Sequence, residues 1–90
     1  MPTQFDPVIL PIVHRHGDRP KALFDALRLA YQAIGSALLA LANTAPNPRN
    51  YPQPDLFAAA QAQYQQRRTL LQTVRASLVA EAEGIQDRLP

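Results

Sequence analysis

Among its 90 residues the chain has no cysteine, no tryptophan, one methionine, three glycines and two histidines. Without cysteine there is no disulfide, no thiolate nucleophile and no cysteine-ligated zinc. No apolar run approaches the roughly 20 residues of a membrane span. Residues 1–4 lack the basic segment that opens a secretory signal, so a cytoplasmic protein is the expectation. The net charge of +2 and pI of about 9.5 are only mildly basic, weaker than a dedicated nucleic-acid binder shows. Hydrophobic residues make up 47% of the chain, but fifteen of them are alanine, so large apolar side chains are few. A single domain this small sits near the limit at which one core suffices, and it is expected to lean on a partner.

Proline, in contrast, is plentiful, and its placement organises the chain. Pro46, Pro48, Pro52 and Pro54 fall within nine residues, where each removes a backbone donor and fixes φ, so no helix can cross. A helical pattern precedes this break over residues 19–42, and another follows it over 55–89. Joined by a turn at 43–54, the two predict an all-α, antiparallel helical hairpin. Asp18 is placed to cap the first helix and Pro20 to start it. Its apolar stripe is Leu23, Leu27, Ala30, Ile34, Ala37 and Leu41, flanked by Phe24, Tyr31 and Leu38. Asn43 is expected to end it in the left-handed conformation. Asp55 is expected to cap the second helix, whose seam is Phe57, Ala60, Tyr64, Leu71, Val74, Leu78, Ala82 and Ile85. Arg67 falls on that seam and must run along the surface with its guanidinium in water. Gly84 weakens the last turns by about 1 kcal/mol relative to alanine.

The second helix is longer than the first by roughly ten residues, about 15 Å. Its distal part, with Leu78, Ala82 and Ile85, therefore projects beyond Pro20. Residues 1–18 form an extended arm: Pro7 and Pro11 exclude helix, and the run F-D-P-V-I-L-P-I-V over residues 5–13 favours extended backbone. The arm enters at the end where the second helix is uncovered, so it is the expected cover.

Two resemblances bear on function. Residues 13–20, V-H-R-H-G-D-R-P, resemble the R-H-G-x-R-x-P signature of the histidine phosphatase superfamily. The resemblance implies His16 as phosphoryl acceptor, with Arg15 and Arg19 holding the phosphate. The chain departs from that pattern: Pro20 follows Arg19 directly, the later catalytic histidine has no counterpart, and two long helices cannot supply the family's sheet. The string is read instead as a turn at Gly17 and a helix entry, with Arg15 and Arg19 facing the acidic end of the second helix. His14 and His16 have a spacing that could hold a metal only with a third ligand, which the sequence does not specify. The second resemblance is broader. A short alanine-rich helix, a turn ending in Asn50-Tyr51-Pro52 and a longer helix closing on Ile85-Gln86-Asp87 together look like small helical-hairpin proteins of bacterial and phage or prophage genomes. That likeness implies an accessory or structural role and supplies no catalytic residue.

No complete set of nucleophile, base and oxyanion donor is present, so the reading is a non-enzymatic protein-interaction module without cofactor, metal or small-molecule substrate. Two surfaces are candidates for contact with protein. The middle loop is longer than most helix–helix connections and is stiffened by its prolines. It either caps the hairpin with Tyr51 or presents Arg49, Asn50 and Tyr51 as a recognition tip. The second surface lies on the helices. Ala22, Ala26, Leu29, Ala33, Ser36 or Ala37, and Ala40 recur at helical spacing beside the main stripe of the first helix. Leu29, Leu39, Leu70 and Val79 also point away from the intrachain seam. Two hairpins packed as a four-helix homodimer would cover these groups. The alternative is a weak nucleic-acid-binding accessory protein that sets Arg28, Arg67, Arg68 and Arg75, with Lys21, against phosphates.

Overall fold

A computed structural model describes residues 7–10 and 19–88. It is the expected all-α hairpin: helix α1 spans Arg19–Leu41 and helix α2 spans Pro54–Arg88, joined by two short 3-10 turns, Ala42–Thr44 and Pro48–Asn50. The helices form a single layer of 61 × 24 × 13 Å. The radius of gyration is 18.0 Å, against about 12 Å for a compact chain of this length.

Both helix ends at the turn differ in detail from expectation. Asn43 does not adopt the left-handed conformation, and no described residue has a positive φ. Instead α1 tightens into the 3-10 turn, where Ala45 N–H donates to Ala42 O at 3.3 Å. The Thr44 hydroxyl donates to Leu41 O at 2.7 Å. At the start of α2 the first helical residue is Pro54, and Asp55 lies inside the first turn. The Gln53 carbonyl accepts from Leu56 and Phe57 N–H, both at 3.1 Å, while Asp55 places negative charge at the positive end of the helix.

Packing follows the predicted stripes with two shifts of one residue. On α1 the buried positions are Pro20, Leu27 and Leu38, whereas Ala37 is exposed. On α2 the seam passes through Arg68, half-buried, and leaves Arg67 in solvent. Exposed chain at position 67 agrees with a guanidinium kept in water, but it is the neighbouring arginine that lies along the seam.

The expected overhang is not found at the arm end. Arg75 meets Tyr31 and Gly35, and Phe24 and Leu27 share a pocket with Leu78, Val79 and Ala82. α1 therefore runs beside the distal part of α2, and the excess length lies toward the turn. α2 has 35 residues and α1 has 23. Ile85 has no exposed surface. Leu10 lies directly over Gly84: a Cβ added to that glycine would stand 2.8 Å from both Leu10 methyl carbons. Gly84 is thus more than a weak point in the helix. Its missing side chain is the space that Leu10 occupies. Residues 11–18, including the predicted cap Asp18, lie outside the described residues.

A coupled stability effect follows. Leu10→Ala should cost about 1–2 kcal/mol in urea unfolding, since it empties a half-buried apolar contact. Gly84→Ala should fail to give the gain of about 1 kcal/mol normal for a helix interior, yet give it in the Leu10→Ala background. Equal effects of Gly84→Ala in both backgrounds would mean that Leu10 does not pack there.

Candidate interaction surface

The turn is held by its own polar groups. Asn47 Oδ1 accepts from Arg49 N–H at 3.0 Å, its carbonyl accepts from Asn50 N–H at 2.9 Å, and the Pro48 carbonyl accepts from Tyr51 N–H at 3.1 Å. Tyr51 is half-buried, its ring 6.3 Å from that of Phe57 at the base of α2 with the planes tilted by 47°. Tyr51 therefore serves as the cap, while Arg49 and Asn50 remain exposed at the tip. The loop brings together one docked aromatic and two free polar side chains.

The four arginines that the nucleic-acid alternative sets against phosphates, a basic band across the hairpin, divide into two pairs. Arg28 and Arg67 are exposed. Arg68 is half-buried and lies beside Tyr64 one turn earlier, its Nη1 donating to the tyrosine hydroxyl at 3.5 Å and its guanidinium carbon 5.9 Å from the ring centre. Arg75 turns inward across the hairpin. Its guanidinium carbon stands 4.1 Å from the centre of the Tyr31 ring, within cation–π range. Gly35, one turn beyond Tyr31, makes room for it, since a Cβ there would lie 3.1 Å from Arg75 Nη2. Arg75 Nε is buried with no hydrogen-bond partner. Two of the four arginines are therefore free to face phosphates, and two are engaged with tyrosines.

Sequence reasoning placed Arg75 on the outer band and missed this slot. The available signal was Tyr31 and Gly35 four residues apart on one face of α1, level with an arginine of α2.

Shallow pockets flank Arg75 along one face of the hairpin. Leu38, Leu39 and Arg68 wall the side nearer the turn, and Phe24, Leu27, Leu78 and Val79 the side nearer the arm. The stripe of Ala22, Ala26, Leu29, Ala33, Ser36, Ala37 and Ala40 is exposed throughout, and only Ser36 of it borders the groove. Leu29 is 63% exposed and Leu39 77%; Leu56 and Leu70 are also exposed, whereas Val79 is half-buried. Among the described residues no cluster of three potential metal ligands occurs, and no helix is long and apolar enough to cross a membrane. His14, Arg15 and His16 lie outside the described residues. No family model, curated protein or solved structure matches the chain.

The unpartnered Nε of Arg75 gives a stability prediction. Replacing a half-buried cation by a flexible apolar chain removes an unsatisfied donor and a cation–π contact of similar size. Arg75→Met should therefore leave the unfolding free energy within about 1 kcal/mol of the wild type, or raise it. A loss well beyond about 2 kcal/mol would show that the guanidinium holds the two helices together.

Proposed function

We propose that the chain is a non-enzymatic protein-interaction module whose helical hairpin is completed by packing against another protein, in the first place a second copy of itself. The observation that carries this reading is the mismatch between its apolar surface and its core. Among the described residues the buried hydrophobic side chains are Leu27, Leu38 and Ile85, and of these only Ile85 is fully buried, while Leu29, Leu39, Leu56 and Leu70 face solvent. The chain exposes 7124 Å², where a compact monomer of 10.0 kDa exposes about 5,200 Å². The excess is more than twice the roughly 800 Å² that each partner contributes to a stable interface. A two-fold pair of hairpins forming a four-helix bundle is the commonest closed arrangement open to such a shape. The inward turn of Arg75 onto Tyr31 takes one cation out of contact with phosphates and favours protein over nucleic acid as the partner.

Sedimentation equilibrium at micromolar concentration tests this reading. The expected mass is that of two chains, falling toward one on dilution. A mass of one chain at every concentration would refute self-association.

A further inference from the structure

The groove face has two unlike halves that complement each other. Toward the turn it presents a knob, Leu39, exposed on the rim. Toward the arm it presents a mostly apolar hole of ≈ 230 Å³ walled by Phe24, Leu27, Leu78, Val79 and Ala82. The stack of Arg75 on Tyr31 marks the point between them. From Tyr31, Leu39 lies eight residues toward the turn, about 12 Å along the helix axis. Phe24 and Leu27 lie seven and four residues the other way. Charge follows the same plan on α2: Arg68 lines the groove seven residues before Arg75, and Glu83 lines it eight residues after. Knob and hole, cation and anion, thus stand at similar distances on either side of one midpoint.

We infer that this groove face, and not the alanine stripe, is the isologous interface to a second copy of the chain. The inference rests on the self-association proposed above and adds its face, its register and its ion pair. The two-fold axis lies between the hairpins at the level of Arg75, at right angles to α2. Rotation about it lays each α2 antiparallel on its counterpart. Leu39 of each hairpin then enters the hole beside Phe24 and Leu27 of the other, and Arg68 faces the partner's Glu83. Both contacts are made twice, as a self-complementary interface requires. A flat stripe of alanines offers neither a knob nor a charge to fix such a register.

Charge reversal with mixing is the test. Arg68→Glu alone sets glutamate against glutamate, and Glu83→Arg alone sets arginine against arginine, each at two places. Either variant should weaken self-association by roughly tenfold, from two opposed pairs made repulsive. An equimolar mixture of the two should recover wild-type affinity as a heterodimer, and the double variant Arg68→Glu/Glu83→Arg should recover it alone. Leu39→Glu should abolish the dimer and Leu29→Glu should leave it intact; both residues are exposed in the monomer, so neither change disturbs its core. Single reversals without effect, or a mixture no tighter than its components, would overturn this face while leaving self-association standing. Loss of the dimer by Leu29→Glu but not by Leu39→Glu would move the interface to the alanine stripe and overturn it as well. A wild-type chain that stays monomeric would overturn both readings.

Discussion

Two helices in one layer can bury only the stripe along which they touch. That constraint governs the rest of this structure. A bundle of three or four helices surrounds a core, whereas a lone hairpin leaves both broad faces in water. Here the proline-rich turn forces the chain back on itself, and the intrachain seam is then the only burial the two helices can provide for each other. Leu27, Leu38 and Ile85 are the buried apolar residues among those described. The exposed leucines and the elongated shape follow from the same limit.

The second determinant is the difference in helix length. α2 is twelve residues longer than α1, about 18 Å of helix, and the pairing of Tyr31 with Arg75 puts that excess at the turn end. At the opposite end Leu10 of the arm packs on α2, and the missing side chain of Gly84 lets it approach. That the arm reaches the distal part of α2 was legible from the prolines and apolar residues, but the register was not: the expected overhang beyond Pro20 is covered by α1 itself. Nor was the role of Gly84 legible. A glycine in a helical pattern reads as a propensity defect until the residue above it is known, and that residue is more than seventy positions away in the sequence.

The same division runs through the candidate surface. Helix limits were legible to within one residue because prolines and periodicity report local backbone physics. The shift from Arg67 to Arg68 on the seam, and from Ala37 to Leu38, arose because a stripe wide enough for either residue does not fix the rotation of the helix. Arg75 was the larger surprise. Its charge suggested the outer band, but Tyr31 and Gly35 form a slot into which its guanidinium fits. Pairing across the hairpin decides such contacts, and a sequence pattern read one helix at a time does not contain it. The capping role of Tyr51 was legible as one of two alternatives, since an aromatic among prolines beside Phe57 has few other places to pack.

The central claim is that the folded hairpin is incomplete alone and gains stability from a second chain. Thermal unfolding across a wide range of protein concentration tests it most directly. If folding and association are linked, the melting temperature must rise steadily with concentration, because mass action favours the paired state. A melting temperature that does not change with concentration would contradict the account, since it would mean that the single hairpin carries its full stability by itself.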